Sequence, residues 1–237
     1  MSNIRLFHPE NITENTTGLL SKEHTHYVIN VMRLKRGSNL NFFNKGGEWL
    51  SEIVFLDRDR VEVKFLNKIK ESTNISNIEL AICLVKKSPM ETILQKATEL
   101  GVSKITPIIS ERTEVKELNL ERANKIVVEA IEQSNQLMPP EISGIIKLKD
   151  FLKNLDGTTK LLFADVNSKD NLKAEVLKEA KSLSVLIGPE GDFSPLEREL
   201  ILANPNVVPF TISKNILRSD TAVISAISLV NFINNFH

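Results

Sequence analysis

From residue 78 onward, short apolar runs alternate with segments of helical pattern, and this rhythm limits the possible folds more than any other feature of the sequence. Residues 78–85 (IELAICLV) form a continuous apolar run, which is typical of a strand covered on both faces. Shorter runs of the same kind follow at residues 105–109, 161–164, 185–187 and 207–212. Strands that alternate with helices predict an α/β fold with a mainly parallel sheet and helices on both faces.

The helices between these strands are marked by their end signals. Ser88 and Ser194 are each followed by a proline and, three residues on, by a glutamate, the pattern of a capping box with proline at the first helical position. Gly101 stands where a left-handed residue is expected to close the helix that begins at Ser88. Further helices are predicted over residues 120–134 and 221–234.

The first seventy residues have a strand-like pattern instead. A polar, glycine-bearing turn at residues 44–47 predicts a hairpin, and residues 60–66 alternate apolar and charged side chains as a half-buried strand does. A helix is predicted over residues 21–34, with its apolar side formed by Tyr27, Val28, Val31 and Met32. A polar stretch after the last of these strands is the best linker candidate, so we expect a small β-rich domain at residues 1–72 and an α/β domain at 73–237.

Charge and cysteine content exclude several classes of protein. Thirty basic side chains balance thirty acidic ones, so no overall positive field draws the molecule to nucleic acid or to a membrane. Cys83 is the single cysteine, which excludes an intramolecular disulfide and a zinc site built from cysteines. The four histidines show no metal-ligating spacing, and the nucleotide-binding glycine motifs and the acyl-transfer serine motif do not occur. With no signal-peptide pattern and no apolar run near the ~18 residues of a spanning helix, a cytoplasmic protein is expected.

Two turns that follow predicted strands hold the best candidates for a ligand site, because ligands of α/β sheets bind at the carboxyl ends of strands. Residues 188–193 (GPEGDF) offer two glycines for close backbone approach and Glu190 as an acceptor; a plain strand-to-helix turn is the alternative. In residues 213–222 (SKNILRSDTA), Arg218 precedes the N-terminus of a helix, a place that favours developing negative charge. The alternative for Arg218 is an ion pair with an acidic cap residue.

Together these motifs make the chain resemble the 16S ribosomal RNA (uracil-N3) methyltransferases, which are members of the SPOUT class of S-adenosylmethionine-dependent enzymes. The resemblance covers essentially the whole length. It rests on five motifs in order, at residues 24–33 (HTHYVINVMR), 90–102 (METILQKATELGV), 129–134 (EAIEQS), 187–191 (IGPEG) and 216–222 (ILRSDTA). The family usually has glycine where this chain has Asp192 and glutamate where it has Asp220.

The resemblance implies more about the fold than periodicity can show. The catalytic domain of the family is a parallel α/β sheet whose C-terminal part threads through a loop as a trefoil knot. Its N-terminal domain is a small PUA-like β-barrel that holds RNA, which suits residues 1–72. Family members are homodimers in which the knotted regions pack together.

The resemblance also implies a cofactor, S-adenosylmethionine, bent in the knot and held by three loops. These loops correspond to the one after residues 161–164, to residues 188–191 and to residues 212–222. The cofactor-binding residues carried over are Leu162, Ala164, Ile187, Gly188, Pro189, Gly191, Ile212, Leu217, Thr221 and Ala222.

The implied reaction is methylation of N3 of a specific uridine in 16S ribosomal RNA of the small ribosomal subunit. Arg218 is expected to stabilise the negative charge that spreads onto the uracil carbonyl oxygens when N3 loses its proton. Glu190 is a candidate proton acceptor, and an orienting role in the loop is its alternative. Arg5, Arg33 and Arg36 are assigned to RNA phosphate contacts, since residues 1–70 hold 11 basic against 8 acidic side chains.

Two other functions stay open at this stage. One is an RNA-binding ribosome assembly factor that has the fold without catalysis. The other is a SPOUT enzyme that methylates a ribose hydroxyl or a tRNA base. The N-terminal β domain and the match along the whole chain favour the ribosomal RNA enzyme over both.

Overall fold

A computed structural model describes residues 4–72, 76–134 and 136–236, with side chains up to residue 234. Its internal contacts divide the chain into two units, Met1–Asn74 with Ile131–Met138, and Ile75–Ala130 with Pro139–His237. The expected domain boundary at residues 72/73 touches positions 73–75, which lie outside the described residues. Residues 131–138, which the composition gave no reason to separate from the second domain, cluster with the first unit.

The N-terminal unit is built on one five-stranded sheet. Its strands are β1 (Arg5–Phe7), β2 (Thr17–Leu19), β3 (Asn39–Asn44), β4 (Gly47–Asp57) and β5 (Arg60–Glu71), in the order β1-β3-β4-β5-β2. Strand β1 pairs with β3 in parallel, and the other neighbours are antiparallel. Leu6, Phe42, Ile53 and Val63 pack into one buried cluster on the sheet. A smaller cluster forms around Phe43, with Ile131 and Leu137. The predicted hairpin and the predicted strand from residue 60 are confirmed.

The helix predicted over residues 21–34 is shorter and differently wound. An α-helix, α1 (Lys22–His26), passes into a π-helical turn at Tyr27–Val31, and Arg33 then adopts a left-handed φ of 53°. Val28 is buried, but Val31 and Met32 are 56% and 39% exposed, so their assignment to the apolar side is wrong. A π-turn winds more residues per turn than an α-helix, which rotates the later side chains out of the stripe that a 3.6-residue period predicts.

The second unit has a seven-stranded sheet in which every pairing is parallel, as predicted. Its strands are β6 (Ile78–Cys83), β7 (Lys104–Ile109), β8 (Glu141–Ile142), β9 (Ile146–Lys147), β10 (Thr159–Ala164), β11 (Ser182–Ile187) and β12 (Val207–Phe210). The order is β12-β10-β11-β6-β7-β8, and β9 also pairs with β7. All five strands predicted in this part of the chain are present.

Helices cover both faces of this sheet, which confirms the α/β prediction. They are α2 (Lys87–Glu99), α3 (Leu120–Gln133), α4 (Leu148–Lys153), α5 (Ala174–Lys178), α6 (Pro195–Leu202) and α7 (Ser219–Phe236). One core cluster joins side chains of α2, α3 and α7 to strand residues such as Leu162. Its neighbour in β10, Phe163, belongs to a second cluster with α4 and α6. Successive side chains along the strand therefore pack into core clusters on opposite faces of the sheet.

The helix ends agree with the sequence in two of three places. Ser194 and Glu197 form the predicted capping box, with N–H to oxygen distances of 3.3 and 3.2 Å. Gly101 has a φ of 82° and closes α2. The cap predicted at Ser88 is wrong, because α2 begins at Lys87. Proline does not fix the start to one position, since the first four N–H groups of any helix lack an intrahelical acceptor.

The loop after β10 lies along the end of β12. The Asp165 N–H donates to the Phe210 carbonyl at 3.0 Å, and the Thr211 N–H donates to the Asp170 carbonyl at 2.8 Å. Residues 165–170 thus hold the chain where it leaves β12 toward α7. These bonds support the expected threading of the chain through that loop; the trefoil knot itself stays a prediction.

We predict that Gly101→Ala lowers the free energy of unfolding by about 1 kcal/mol, because an alanine at a φ of 82° places Cβ against the following carbonyl. Urea denaturation of the whole protein measures this change. Gly157→Ala is the matched control, since a methyl group there meets no atom within 4 Å. Equal stability of the two variants would contradict the assigned role of Gly101.

Candidate functional site

Three loops meet at one edge of the parallel sheet. Strands β12, β10 and β11 are neighbours in that order and run in the same direction, so their carboxyl ends lie side by side. The loops that follow them begin at residues 165, 188 and 211. These are the three loops that the resemblance assigns to the cofactor, and the sheet brings them to the edge where α/β folds bind ligands.

A shallow cleft opens at this edge. It is formed by the loop after β10, the loop after β12 and the first turns of α7, and it is lined by Asp165, Val166, Thr211, Ile212, Ser213, Asn215, Leu217 and Ala222. Half of these side chains are apolar and half carry hydrogen-bonding groups. A small-molecule site has this combination of an apolar wall and a few placed polar groups.

The turn at Gly188 reaches the start of α7. The Ser219 Oγ lies 3.5 Å from the Gly188 carbonyl oxygen, so the glycine-bearing and arginine-bearing turns meet, as the sequence predicted. A Cβ at Gly188 would lie 3.0 Å from the ring of Phe193, which is buried against Phe163. Glycine at this position therefore permits the tight fold of the turn.

Asp192 occupies the position where the family usually has glycine. Its φ is 57°, in the left-handed region that glycine adopts without cost. The carboxylate of Asp192 accepts a hydrogen bond of 2.8 Å from the Phe193 N–H. Short polar side chains tolerate this conformation because they bond locally to the backbone, so the substitution preserves the turn.

Asp165 is the most buried charged group of the cleft. Its side chain is 1% exposed and forms a two-pronged ion pair with Arg198, with a shortest N–O distance of 2.7 Å. Burial alone would raise the pKa of this carboxyl, but the hydrogen bonds from Arg198 and from the Asn167 N–H outweigh it, so the pKa lies below its ordinary value of 3.8. The cleft wall thus carries a carboxylate that stays ionised at neutral pH.

Arg218 is exposed just ahead of α7. Within residues 4–72, 76–134 and 136–236 its guanidinium forms no ion pair, and the carboxylate of Asp220 accepts from the Thr221 N–H instead. The alternative of an ion pair with an acidic cap is therefore not observed. Glu190 is also exposed, in the neighbouring turn. A free cation beside a helix N-terminus is suited to stabilise an anion that forms in the cleft.

The other residues carried over from the resemblance divide into two groups. Ile212, Leu217 and Ala222 line the cleft. Leu162, Ile187 and Pro189 are buried, the first two in the core beneath the loops. Ala164 is half-buried at the end of β10, Thr221 is exposed in the first turn of α7, and the Gly191 carbonyl accepts from Arg112 at 3.0 Å.

The structure adds five residues that sequence reasoning missed. They are Asp165, Val166, Thr211, Ser213 and Asn215. A usable signal existed for the first three, because each lies within two residues of the end of a strand at the ligand-binding edge. Ser213 and Asn215 lie in the turn at residues 213–222 that the sequence singled out, but no local pattern distinguishes them from their neighbours as wall residues.

In the N-terminal unit, the contacts of Arg5 within the protein weigh against the predicted contact with RNA phosphate. Its side chain is 13% exposed and pairs with Glu48 at 3.1 Å, and its guanidinium lies 4.3 Å from the centre of the Phe43 ring. The same group donates to carbonyls near the end of α3, those of Ile131, Ser134 and Gln136. Four of the five N–H donors of the guanidinium are thus engaged within the protein, which leaves little capacity to bind a phosphate. Arg33 and Arg36 are exposed, as an RNA contact requires.

The cleft residues fit the expected cofactor. S-adenosylmethionine combines a flat apolar base with ribose hydroxyls, a charged amino acid part and a cationic sulfur. Ile212, Leu217 and Ala222 give an apolar surface for the base, and Thr211 and Ser213 give hydroxyl groups. Asp165 adds a buried carboxylate to this wall, and its charge is balanced by Arg198.

Comparison with family models agrees with both units. Residues 71–231 match the model described as an RNA methyltransferase domain, and residues 20–66 match the one described as an RNA methyltransferase PUA domain. Curated relatives of the chain include Ribosomal RNA small subunit methyltransferase E of Rickettsia conorii, which is 33% identical over 98% of this chain and 96% of the relative. The protein of the same name from Aquifex aeolicus is 30% identical over 97% of this chain and 100% of its own.

Solved structures resemble the whole chain as well. A Ribosomal RNA small subunit methyltransferase E from Neisseria gonorrhoeae, bound to S-adenosylmethionine, has a TM-score of 0.89 and 28% identity, and the match covers 98% of both chains. A methyltransferase from Legionella pneumophila, also solved with this cofactor, has a TM-score of 0.84, 28% identity and the same coverage. The expected PUA-like and SPOUT-type domains are thereby confirmed. Among the described residues, no helix is long and apolar enough to span a bilayer.

We predict that Asp165→Asn lowers the free energy of unfolding by about 1 to 2 kcal/mol at pH 7, because it removes charge-assisted hydrogen bonds to Arg198. A carboxyl whose folded pKa is depressed stabilises the fold above its unfolded pKa and loses that effect as the pH falls through the folded value. The difference from wild type should therefore be constant between about pH 5 and 8 and shrink below about pH 4.

Urea denaturation at a series of pH values measures this difference. Asp59→Asn, in the exposed turn between β4 and β5, is the control and should show little change at any pH. A difference that grows on acidification would contradict the ionised state assigned to Asp165.

Proposed function

This chain belongs to the ribosomal RNA small subunit methyltransferase E family of RNA methyltransferases, and on that premise we propose that it methylates N3 of a uridine in 16S ribosomal RNA with S-adenosylmethionine as methyl donor. The observation that carries the proposal is the cleft at the carboxyl edge of β12, β10 and β11. Beside it lies Arg218, which forms no ion pair with any residue in the part of the chain that the structure describes. A cytoplasmic location, where ribosomal subunits are available, is part of the proposal.

The chain would hold the cofactor between its three loops. Ile212, Leu217 and Ala222 would contact the base, and the polar groups of Thr211, Ser213 and Asn215 would bond to the ribose and amino acid parts. The backbone of residues 188–191 would close the third side, since Gly188 and Gly191 carry no side chain that would keep a ligand from their backbone. When bound, the cofactor supplies a methyl group on a sulfonium, which is already a strong electrophile.

The chemical obstacle is at the acceptor, because N3 of uracil keeps its proton at neutral pH. Loss of this proton places negative charge on the two flanking carbonyl oxygens of the ring. The guanidinium of Arg218 remains protonated and carries several N–H donors, so it can stabilise that charge as it forms. Glu190, exposed on the adjoining turn, is the proposed proton acceptor.

The N-terminal unit is proposed to hold the RNA. Arg33 and Arg36, with Lys35 between them, place three exposed cations within four residues. Phosphate contacts by such side chains release counterions and give affinity that depends on salt. We retain these two arginines as RNA contacts and exclude Arg5.

A homodimer is also part of the proposal. Ile216, in the loop between β12 and α7, is 89% exposed, which is unusual for a large aliphatic side chain. Packing of the two knotted regions, as the resemblance implies, would cover it. Light scattering with sedimentation measures the oligomeric state directly, and a monomer at micromolar concentration would contradict this part.

We predict that Arg218→Ala lowers methyl transfer by about 100-fold or more, because it removes a preorganised donor to the developing anion. Its affinity for S-adenosylmethionine should stay within about twofold of wild type, since Arg218 is not part of the cleft wall. Mass spectrometry of nucleosides from small-subunit RNA, treated with the protein and isotopically labelled cofactor, identifies the methylated nucleoside and measures its amount. Lys214→Ala, in the same loop, is the control.

This experiment also separates the other functions. An assembly factor would bind RNA and give no labelled nucleoside, and a ribose or tRNA methyltransferase would give a different one. N3-methyluridine from 16S RNA supports the proposal. Near wild-type transfer by Arg218→Ala would contradict the role of the arginine.

We predict that Arg33→Gln and Arg36→Gln each reduce the salt dependence of RNA binding by about one unit of slope in a plot of log affinity against log salt concentration. Filter binding at several salt concentrations measures the slope. Arg58→Gln, in the exposed turn between β4 and β5, is the control and should leave it unchanged. Unchanged slope and affinity in the Arg33/Arg36 double variant would contradict the assignment.

A further inference from the structure

Helix α6 is tied to the cleft through a pair of charges. Arg198, in its first turns, forms three N–O contacts of 2.7 to 3.3 Å with the carboxylate of Asp165, which is 33 positions earlier in the chain. Asp165 lines the cleft and is nearly fully buried, whereas Arg198 is not part of the cleft wall. Arg198 therefore reaches the cleft wall through its direct contacts with Asp165.

Asp165 is fixed from two further directions. Its Oδ1 accepts a hydrogen bond of 2.9 Å from the Asn167 N–H, which shapes the start of the loop after β10. Its own N–H donates to the Phe210 carbonyl at the end of β12. The side chain thus sets where the first cofactor loop leaves the sheet.

Helix α6, which carries Arg198, is also held in place by several contacts. Helix α6 follows directly on the Gly188 turn, and its start is held by the capping box of Ser194 and Glu197. The second oxygen of Glu197 accepts from the Glu111 N–H at 2.8 Å, in the loop after β7. The helix is therefore a fixed body, and a residue on it can hold a neighbouring loop in place.

We propose that Arg198 is a positioning residue for S-adenosylmethionine: by clamping Asp165 to α6, it fixes the wall of the cleft formed by the loop after β10 relative to the turn at Gly188. The inference rests on the proposed function and adds a residue outside the three cofactor loops to the binding site. It predicts an effect on cofactor affinity and not on the chemical step.

Removing the guanidinium leaves a buried carboxylate without its partner. Such a group becomes protonated or turns toward water, and either change alters the surface that Asp165 presents to the cleft. A lysine retains the charge but cannot make the parallel bonds of the planar guanidinium, so it should restore only part of the affinity.

The test measures affinity for S-adenosylmethionine by isothermal titration calorimetry on the full chain without RNA. We expect Arg198→Gln to weaken binding about tenfold and Arg198→Lys about threefold. At saturating cofactor, kcat should stay within twofold of wild type. The Asp165→Asn/Arg198→Gln double variant should bind no more weakly than Arg198→Gln, because the two side chains act as one unit.

Arg122→Gln is the matched control, since Arg122 pairs with Glu91 in the same unit at an N–O distance of 3.2 Å and is not part of the cleft wall. It should leave the affinity unchanged. The thermal midpoint of each cofactor-free variant, recorded alongside, shows how much stability each ion pair contributes.

The outcomes separate the inference from the proposed function. Wild-type affinity in Arg198→Gln, with a lowered thermal midpoint, would show a purely structural role and overturn the inference alone. If Arg198→Gln does not fold, wild-type affinity for S-adenosylmethionine in Arg198→Lys would overturn the inference in the same way. Wild-type protein that fails to bind S-adenosylmethionine overturns the proposed function and the inference with it.

Discussion

Parallel pairing forces the carboxyl ends of neighbouring strands to one edge of a sheet, and the candidate site depends on this constraint. Because β12, β10 and β11 are neighbours, loops far apart in the chain become adjacent without any direct attraction between them. Their side chains then need only short-range bonds, such as Ser219 to Gly188, to complete the cleft. The order of the strands in the sheet therefore determines which loops lie together at the site.

Apolar periodicity predicted the strands and the layers well, because it depends on neighbours along the chain. It failed where a local event changes the winding: the π-turn at Tyr27–Val31 exposes Val31 and Met32, which a regular helix would have buried. It also misplaced the start of α2, because several positions in a first helical turn accept proline. The end of α2 was predicted correctly, because the left-handed conformation of Gly101 is one that glycine adopts far more readily than other residues.

The candidate site shows a different limit. The motifs identified the two turns and Arg218, but not Asp165, whose importance comes from a partner 33 positions away. The internal contacts of Arg5 could not be predicted for the same reason, since the carbonyls that it binds lie more than 120 positions further along the chain. An arginine that contacts RNA and one that serves the fold are indistinguishable in sequence when their partners are distant.

The hydrogen bonds of Arg5 join two segments of the chain that are distant in sequence, so the N-terminal domain is discontinuous. Residues 131–138 contribute carbonyl acceptors for its guanidinium, and Glu132 accepts from the Phe7 N–H at 2.9 Å and contacts His24 at 3.0 Å. A fragment cut after residue 72 would keep an inward-facing cation and lose the acceptors that neutralise it. The N-terminal domain can therefore be excised or transplanted intact only together with this distant peptide.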